Sequence, residues 1–438
     1  MVVELSVDRV VAGGDGLAEW DGLKVFVRGA VGGERVRARV LERKRDYAVA
    51  QAVEIVKASP ARRTPPCRYY PECGGCQLQH LSYPEQLIVK QGFVEESLRR
   101  LGRLSLSAAR VTGAADQWHY RNKTQYPVNE YGIGFYRRAS HHIVDVEQCL
   151  LHPESFDAAR RAFVAGLDAR IDIPYSERYR DGNIRHVVLR TGEPPESVQA
   201  TVVTRTESLS PKLVESVLGS GAIGAVLQSY NPHPGSRIIG SVPRLVAGSG
   251  RLSMAVAGSI YDISPGSFFQ VNTQQAAVLT EAVLRLAGLQ GDETVLDLYC
   301  GVGLISLLLA RHARRVVGVE LDPVAVIDAR ANASAQGIEN AEFICADAEK
   351  ATELSRGEVE VVVMDPPRKG CGREALTSLA ALGPRRMVYV SCNPATLARD
   401  LAILLTAGYE PKCLELIDMF PQTAHVESVC LLERSSNR

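Results

Sequence analysis

The chain has 438 residues, of which 46% are hydrophobic and 23% are charged, a composition typical of folded proteins and unlike that of disordered ones. Its length exceeds what one hydrophobic core usually organises, so roughly two or three domains are expected. The 50 basic and 50 acidic residues cancel, so a nucleic-acid partner would have to meet a local basic surface. No apolar run reaches the roughly 18 residues of a membrane span, and charged residues interrupt the N-terminus. We therefore expect a cytoplasmic protein with no membrane partner.

The first 57 residues predict a small β-barrel. Three stretches, 25–27, 34–41 and 48–56, favour strands and are separated by glycines. The alternation within 35–40 places three arginines on one face of a strand and apolar residues on the other. By itself this pattern fits a solvated edge strand equally well, although compact basic barrels often hold RNA. The stretch resembles a TRAM domain, an RNA-binding module, which we expect over residues 1–58.

A cysteine array follows a proline-rich linker. Ten cysteines in a cytoplasmic chain favour metal binding, catalysis or burial over disulfides. Cys67, Cys73 and Cys76 fall within ten residues, and the two glycines before Cys76 would let the backbone wrap closely around a metal centre. Three thiolates need a fourth ligand, and Cys149 is the only other cysteine before residue 300. The spacing predicts a metal site and leaves zinc and an iron–sulfur cluster open.

Residues 118–138 interleave basic and aromatic side chains. Arginine and aromatic planes can stack on unpaired bases, and the alternative is a half-buried strand pair with a charged outer face. Residues 183–246 favour several strands, the last over 237–240, and a helix near 211–218. They contain no recognisable catalytic motif, so we expect an α+β middle domain over residues 59–258.

From about residue 260 strands and helices alternate, which predicts a doubly wound parallel sheet over residues 259–438. One predicted strand ends at Tyr299-Cys300-Gly301-Val302-Gly303, where the glycines allow a ligand to approach the start of a helix. Glu320 follows about 20 residues later, the place of a carboxylate that binds ribose hydroxyls. A nucleotide-dependent dehydrogenase would show similar features, although Ser306 replaces the third glycine of its motif.

Two more predicted strand ends carry reactive side chains. Asp365 precedes two prolines, which make a rigid loop that directs one carboxylate into the crevice above the sheet. Cys392 lies between a predicted strand over 387–390 and a predicted helix over 395–405, where open α/β sheets bind ligands. An arbitrary cysteine is more often buried, but the polar residues on both sides of Cys392 favour an exposed thiol. Together with the glycine loop and Glu320, the acidic loop resembles that of class I S-adenosylmethionine-dependent methyltransferases.

Five motifs together resemble the RNA uracil-5-methyltransferase family. They are SFFQVN, DLYCGVGLISL, DPPRKG, YVSCNPATLARD and MFPQTAHVESV. The resemblance covers nearly the whole chain, including the barrel and the cysteine array, and is strongest to the branch that methylates uridines of 23S ribosomal RNA with a [4Fe–4S] cluster. The implied fold is a multidomain α/β protein with a β-barrel, an α+β middle domain that holds the cluster and a Rossmann-like catalytic domain.

The resemblance implies a role for each matching residue. Cys392 would add as a thiolate to carbon 6 of uracil, which turns carbon 5 into a nucleophile for the methyl group. Glu427 would then remove the carbon 5 proton so that the thiol is eliminated. The residues implied to bind S-adenosylmethionine are Gln270, Tyr299, Glu320 and Asp365, with Asp297 and Asp347 as secondary contacts. The residues implied to hold the cluster are Cys67, Cys73, Cys76 and Cys149.

The implied partner is RNA. We expect 23S ribosomal RNA rather than tRNA, because bacterial tRNA enzymes of the family generally lack the barrel and the cysteine array. Some archaeal tRNA enzymes resemble the cluster-bearing branch, so tRNA stays open. The target base must leave its stack before a protein can reach it. A monomer is expected, and Cys300, Cys345 and Cys430 are expected to pack in or beside apolar strands.

Three other functions are compatible with parts of the pattern. An RNA cytosine-5-methyltransferase uses similar thiol addition but typically has a cysteine directly after its acidic-Pro-Pro motif, where this chain has Arg368. An amino-group methyltransferase shares the acidic-Pro-Pro loop but needs no thiol and usually has an aromatic residue at that position. A silent RNA-binding or iron–sulfur redox protein would not need Cys392, Glu427 and the cofactor loop together.

Overall fold

The computed structural model describes residues 1–193, 197–233, 235, 237–350 and 358–435. Its strands are β1 (Val2–Val10), β2 (Gly16–Trp20), β3 (Leu23–Arg28), β4 (Arg35–Arg43), β5 (Tyr47–Lys57), β6 (Arg110–Thr112), β7 (Lys123–Asn129), β8 (Gly132–Ile133), β9 (Phe135–Tyr136), β10 (Ile143–Val144), β11 (Ile184–Thr191), β12 (Val198–Thr204), β13 (Ala225–Tyr230), β14 (Arg244–Gly248), β15 (Leu252–Val256), β16 (Ser259–Ile263), β17 (Thr294–Leu298), β18 (Arg315–Glu320), β19 (Ala341–Cys345), β20 (Val361–Met364), β21 (Arg386–Ser391), β22 (Tyr409–Ile417) and β23 (Glu427–Arg434). Its helices are α1 (Tyr83–Ser97), α2 (Glu154–Asp168), α3 (Pro211–Gly219), α4 (Thr273–Ala287), α5 (Leu304–Ala310), α6 (Pro323–Ala335), α7 (Arg373–Leu382) and α8 (Pro394–Thr406). None of the helices in these ranges is long and apolar enough to cross a membrane.

The first five strands close into a barrel in the order β1-β2-β3-β5-β4, which confirms the predicted barrel. The alternation along β4 explains its two faces. Val36 and Ala38 are buried in the barrel interior, whereas Arg35, Arg37 and Arg39 are exposed. The strands β1 and β2 were not predicted, and β1 closes the barrel by pairing with β4.

The arginine face of β4 is partly neutralised by its neighbouring strands. Arg35 pairs with Glu4 of β1 at 3.2 Å, and Arg37 pairs with Glu54 of β5 at 2.9 Å. Both pairs are exposed to solvent, so each contributes at most about 1 kcal/mol to stability. Among the residues that the structure describes, Arg39 has no acidic partner, so its charge stays available to a ligand.

A buried ion pair fixes the barrel to the linker that follows it. Glu34 accepts hydrogen bonds from Nε and Nη2 of Arg62 at 2.5 and 2.6 Å and from the amide of Val31 at 2.8 Å. Arg62 also donates to the carbonyl of Gly29 at 2.8 Å. Because both carboxylate oxygens have partners, the barrel and the linker are joined without an uncompensated buried charge.

The middle of the chain forms a six-stranded sheet in the order β14-β13-β12-β11-β7-β8, with α2 and α3 packed against it. The helix predicted near 211–218 is confirmed as α3. The strand predicted over 237–240 is wrong. The carbonyls of Arg237 and Ile238 accept hydrogen bonds from the side-chain amide of Asn231 instead of pairing with a strand, and β14 forms the edge of the sheet.

The last part of the chain forms an eight-stranded sheet in the order β19-β18-β17-β20-β21-β23-β22-β6. The strands from β17 to β21 are parallel and connected through α5, α6 and α7, which confirms the predicted parallel sheet. The reversed direction of β23 was not predicted. β23 inserts between β21 and β22 and runs antiparallel to both.

An upstream segment completes the core beneath this sheet. β6, which precedes the middle sheet in the chain, pairs in parallel with β22. Val94 of α1 and Leu98 just after it are fully buried in the same core as Leu401 of α8. Residues 83–112 therefore pack with the catalytic sheet, although they lie within the range expected for the middle domain.

A buried ion pair connects α1 to the turn that follows β22. Lys90 and Asp418 are each 1% exposed, and Nζ of Lys90 donates to the Asp418 carboxylate at 2.5 Å and to the carbonyl of Phe420 at 3.0 Å. The hydroxyl of Tyr83 donates to the same carboxylate at 2.9 Å. Burial lowers the pKa of Lys90, and the charge of Asp418 opposes this shift. The hydrogen bonds to Asp418 and Phe420 therefore give the buried Lys90 side chain polar partners in place of water.

Replacing Lys90→Ala should lower the free energy of unfolding by about 3–5 kcal/mol, because it leaves the Asp418 carboxylate buried without its cation. Urea unfolding followed by circular dichroism measures the change. The exposed pair between Lys24 and Glu19 supplies a matched control, since Lys24→Ala should cost less than about 1 kcal/mol. The double variant Lys90→Met with Asp418→Leu should recover most of the loss. A Lys90→Ala protein as stable as Lys24→Ala would contradict the interpretation.

Candidate active site

Four side chains predicted to be functional lie at one edge of the catalytic sheet. Tyr299, Glu320 and Asp365 lie at or just beyond the carboxyl ends of β17, β18 and β20, and Cys392 follows β21. Because these strands are parallel and adjacent, their carboxyl ends form one continuous edge. The sheet topology thus brings the predicted cofactor residues and the predicted nucleophile to the same crevice.

Cys392 and Glu427 lie near the same end of two antiparallel strands. Ser391, the last residue of β21, pairs with Ser428, the second residue of β23, so Cys392 leaves β21 where β23 begins with Glu427. The charge of Glu427 acts on the Cys392 thiol. The two strands therefore hold a thiol and a carboxyl side by side, a proximity that no local sequence pattern predicted.

The charges around Cys392 disfavour its thiolate. Burial, together with the neighbouring carboxyls of Glu427 and Asp365, raises the pKa of the Cys392 thiol to about 11, although Arg368 opposes this shift. The thiol is therefore protonated at neutral pH, and Arg368 is the nearby cation that stabilises the thiolate. A nucleophilic role requires that the proton be taken up by another group.

Glu427 and Asp365 are two enclosed carboxyls with raised pKa values. Burial raises the pKa of Glu427 well above its usual range, the charge of Asp365 adds to this shift, and Arg368 opposes it. Burial raises the pKa of Asp365 to about 7. A carboxyl with a raised pKa is a stronger base than an exposed one, and general bases work best when their pKa lies near the working pH.

The glycine loop between β17 and α5 is open on one side. Tyr299 has a φ of 61°, a left-handed conformation that is rare for residues other than glycine and typical of strained functional turns. Gly301 is also left-handed, and a Cβ at this position would meet no atom within 4 Å, so a ligand can approach its backbone. The carboxylate of Glu320 fixes the loop by accepting from the amides of Gly301 at 3.1 Å and Asp322 at 2.9 Å.

A buried acceptor lies just before this loop. Asp297 accepts a hydrogen bond from the hydroxyl of Ser306, and its Oδ1 has no partner among the described residues. Burial raises the pKa of Asp297 to about 7 against the effect of the Ser306 hydrogen bond. An unpartnered buried oxygen beside an open glycine turn fits a ligand that brings hydrogen-bond donors, as the ammonium and ribose hydroxyls of S-adenosylmethionine would. Asp347 is exposed after β19, and its charge acts on Tyr299.

Gln270 lies on the segment between β16 and α4, which the middle sheet holds in place. Its carbonyl accepts from the side-chain amide of Asn122 at 2.9 Å, and the backbone amide of Asn122 donates to Val271 at 2.8 Å. Arg190 of β11 donates to the carbonyl of Ser267 at 2.5 Å. Within the described residues no hydrogen bond joins Gln270 to the strand-end residues, so its role stays a prediction.

The cysteines predicted to bind a metal all line one cavity of about 330 Å³. These four residues are Cys67, Cys73, Cys76 and Cys149. Burial raises the pKa of Cys76 and Cys149 to about 12, so their thiolates need nearby positive charge. Arg121 lines the same cavity, and its Nε has no hydrogen-bond partner in the described part of the chain. In the ranges described, no three His, Cys, Asp or Glu side chains form a group that could hold a single metal ion. The iron–sulfur cluster stays a prediction.

The sequence did not predict that two arginines lie near these sites. Arg368 belongs to the DPPRKG motif, whose rigid prolines were the available signal, and Arg121 lies in the stretch interpreted only as an RNA surface. The expected burial of Cys345 is wrong: this residue ends the edge strand β19, where no further strand covers it, and it is exposed. Cys300 and Cys430 are buried as predicted.

Comparison with known proteins gives consistent matches along the chain. The family described as tRNA (Uracil-5-)-methyltransferase matches residues 249–435. A protein of Halalkalibacterium halodurans named an uncharacterized RNA methyltransferase is 40% identical over 444 residues, which cover 99% of this chain and 97% of that protein. A Listeria innocua protein of the same description is 38% identical over 98% of this chain and 97% of its own length.

A solved structure extends the similarity to three dimensions. The Pyrococcus abyssi tRNA (uracil-54, C5)-methyltransferase in complex with S-adenosyl-L-homocysteine is 29% identical to this chain, with a TM-score of 0.79. The similarity covers 98% of this chain and 100% of that one, so it includes the barrel, the middle sheet and the catalytic sheet. With the thiol and carboxyl placed at the edge of a methyltransferase-like sheet, these matches agree: the chain belongs to the RNA (uracil-5-)-methyltransferase family and is an enzyme of that class.

Proposed function

We propose that this enzyme transfers a methyl group from S-adenosylmethionine to carbon 5 of a uridine in RNA. The observation that carries the proposal is that Cys392 and Glu427 lie close together at the sheet edge that also holds the open glycine loop. Uracil-5 chemistry needs a nucleophile and a base at the same pyrimidine ring. A methyltransferase that acts on amino groups would need neither the thiol nor its carboxyl neighbour.

The reaction starts from the poor nucleophilicity of carbon 5. The Cys392 thiol first loses its proton to solvent, and Arg368 favours the thiolate that forms. The thiolate adds to carbon 6, and the electron pair of the 5,6 double bond moves to make an enolate with nucleophilic character at carbon 5. S-adenosylmethionine, when bound, supplies the electrophilic methyl group that carbon 5 attacks. Glu427 then takes the carbon 5 proton, the double bond re-forms, and the bond between carbon 6 and Sγ of Cys392 breaks. The thiolate leaves as it entered, and release of the proton from Glu427 to solvent regenerates the enzyme.

The surrounding charges support this assignment. Arg368 favours both the thiolate of Cys392 and the carboxylate of Glu427. The raised pKa of Glu427 strengthens it as a base for a carbon-bound proton. Asp365, with a pKa raised to about 7, is a carboxyl of the same site that can hold a proton near neutral pH, and we assign it a place beside the cofactor and the target base.

The cofactor is assigned to the glycine loop and the neighbouring strand ends. Glu320 uses one lone pair on each oxygen for the amides of Gly301 and Asp322, which leaves acceptor capacity for ribose hydroxyls. The open backbone of Gly301 and the unpartnered oxygen of Asp297 support a ligand at this place. Tyr299 and Gln270 complete the proposed set, Tyr299 from the loop and Gln270 from the segment held by Asn122.

We assign a [4Fe–4S] cluster to the cysteine cavity. Its support is the convergence of four thiols on one cavity, since such a cluster takes one thiolate on each of its four irons. Arg121 would offset the negative charge of the thiolates from the wall of the same cavity.

The proposal also specifies which type of RNA is the substrate. We favour 23S ribosomal RNA because of the resemblance to the branch with a barrel and a cysteine array, with residues 1–58 acting as a TRAM domain, 59–258 as the cluster and RNA-binding domain and 259–438 as the catalytic domain. The barrel alone does not discriminate, because a tRNA (uracil-54, C5)-methyltransferase is similar to this chain over its full length. That similarity makes tRNA the second candidate.

Methyl transfer from labelled S-adenosylmethionine to unmodified 23S ribosomal RNA and to unmodified tRNA, followed by digestion to nucleosides, tests the proposal. The label should appear as 5-methyluridine in the ribosomal RNA. Cys392→Ala should abolish it, and Glu427→Gln should slow it about 10²–10⁴-fold. Cys345→Ala, which removes an exposed thiol, is the control and should keep full activity. Label in tRNA alone would overturn the ribosomal assignment, and label in 5-methylcytidine would overturn the chemistry.

The pH dependence of alkylation tests the charges assigned to the thiol. Between pH 7 and 10, iodoacetamide labelling of Cys392 should rise about tenfold per pH unit, because its pKa of about 11 lies above this range. Arg368→Gln should slow labelling at a given pH, since it removes the cation that lowers the pKa. Glu427→Gln should speed it, since it removes an anion that raises the pKa. Peptide mass spectrometry measures Cys392, and at any one pH the labelling of Cys345 should be equal in the wild type and both variants. A plateau below pH 9 would contradict the assignment.

Metal analysis of the anaerobically isolated protein tests the cysteine site. About four iron and four sulfide ions per chain are expected. Cys76→Ser should lower both, because it removes one of the four converging thiols. Cys413→Ser removes a partly buried cysteine elsewhere and should leave the content unchanged. Stoichiometric zinc, or equal iron in the two variants, would refute a cluster at this cavity.

A further inference from the structure

The segment 418–426 connects β22 to β23 and leads directly to Glu427. It contains no helix or strand, and Asp418, Gln422 and Thr423 within it are buried. Buried irregular backbone must find hydrogen-bond partners elsewhere in the molecule. Much of the support for this segment comes from two elements that lie far upstream in the chain, α1 and the loop directly after the cysteine array.

From α1, Gln86 forms a reciprocal amide pair with Gln422. The Gln86 side chain donates to Oε1 of Gln422 at 2.9 Å, and its own Oε1 accepts from the backbone amide of Gln422 at 3.0 Å. Both residues are buried, and Gln422 has a φ of 70°, a strained conformation for a residue with a side chain. The pair holds the backbone of the segment in a conformation that it would not adopt alone.

From the cysteine array, Gln77 forms a bridge to the end of the segment. Its Oε1 accepts from the amide of Ala424 at 3.2 Å, and its Nε2 donates to the carbonyl of Gly74 at 2.7 Å. The backbone amides of Gln77 and Leu78 both donate to the carbonyl of Gln422, at 3.1 and 3.0 Å. One side chain thus connects the interior of the cysteine array with the stretch that carries Glu427.

Other contacts hold the beginning of the segment. Lys90 binds Asp418, Tyr120 donates to the carbonyl of Pro421 at 3.0 Å, and Asn272 donates to that of Met419 at 3.3 Å. These residues explain how the segment packs against α1 and α4. The hydrogen bonds of Gln77 and Gln86 fall closer to Glu427 in the chain, where a small displacement moves the carboxyl itself.

We propose that Gln77 and Gln86 are positioning residues for Glu427. The inference rests on the proposed role of Glu427 as the base that removes the carbon 5 proton. Gln77 binds both the carbonyl of Gly74 and the amide of Ala424. It therefore links the loop of the cysteine array to the segment that positions Glu427. The cysteine array therefore acts on proton removal, in addition to any part that it has in folding or RNA binding.

This role predicts which step fails. Addition of Cys392 to carbon 6 and methylation of carbon 5 do not need the base, so both proceed when Glu427 is displaced. The methylated adduct then retains its carbon 5 proton and its bond to Sγ of Cys392. Only proton removal and cleavage of that bond are slowed. A covalent complex between protein and RNA should accumulate, which a general loss of folding would not produce.

The experiment measures this complex for Gln77→Ala and Gln86→Ala. Labelled RNA of the kind that the wild-type enzyme methylates is mixed with enzyme and S-adenosylmethionine, and the denaturation-resistant fraction is followed on gels. Both variants should hold roughly tenfold to hundredfold more RNA as adduct than the wild type, since misplacement by about 1 Å can cost that much in rate. Methyl incorporation in the first turnover should stay within about twofold of the wild-type level.

Matched variants make the outcome decisive. Gln91→Ala, on the same helix with its amide bound to Glu95 at the surface, should behave as the wild type. Gln77→Glu keeps the acceptor for Ala424 and should release part of the adduct. If Glu427→Gln traps the adduct and neither glutamine variant does, the positioning role is refuted while the proposed function stands. If Glu427→Gln traps nothing, the base assignment and this inference fail together.

Discussion

The antiparallel pairing of β21 with β23 is the constraint on which the site depends. A parallel sheet presents only the carboxyl ends of its strands at the ligand-binding edge. An antiparallel strand presents its first residue there instead. By inserting β23 beside β21, the chain brings Glu427 to the edge where Cys392 follows the end of β21. The thiol and the carboxyl thus lie at the same edge, each directly beside a strand of the sheet.

This arrangement raises the pKa values of the two side chains. Burying a carboxyl next to a thiol disfavours the charged form of both, which is why the pKa values of Cys392 and Glu427 are raised. Arg368, from the loop that carries Asp365, opposes both pKa shifts with its positive charge. The segment that leads to Glu427 is held by hydrogen bonds from the upstream helix α1 and from the loop after the cysteine array.

Local sequence patterns predicted much of this fold. Alternating apolar runs and helical periodicity located β17 to β21, and the arginine alternation in β4 predicted a two-faced barrel strand. The reversed direction of β23, the pairing of β6 with β22 and the absence of the strand predicted over 237–240 depend on contacts between distant segments. Periodicity carries no information on such pairings, so these features could be found only in the folded chain.

Some features of the site could likewise be predicted from the sequence, and others depend on the folded chain. Cys392 and Asp365 could be placed at strand ends from the sequence, because polar turns and prolines mark those ends. Their closeness to Glu427, the influence of Arg368 and the bridge through Gln77 depend on tertiary contacts. The resemblance to a family identified Glu427 as a candidate base. The pairing of β23 with β21 then explains why its carboxyl lies near Cys392.

The most direct test of the central claim uses RNA in which uridine is replaced by 5-fluorouridine. Fluorine at carbon 5 cannot leave as a proton does, so the reaction should stop after methyl transfer with the pyrimidine still bound to the enzyme. The account predicts a denaturation-resistant complex that forms with S-adenosylmethionine and whose digestion yields the Cys392 peptide linked to the modified nucleotide. Linkage at any other residue, or methyl transfer to normal RNA by an enzyme that forms no such complex, would contradict it.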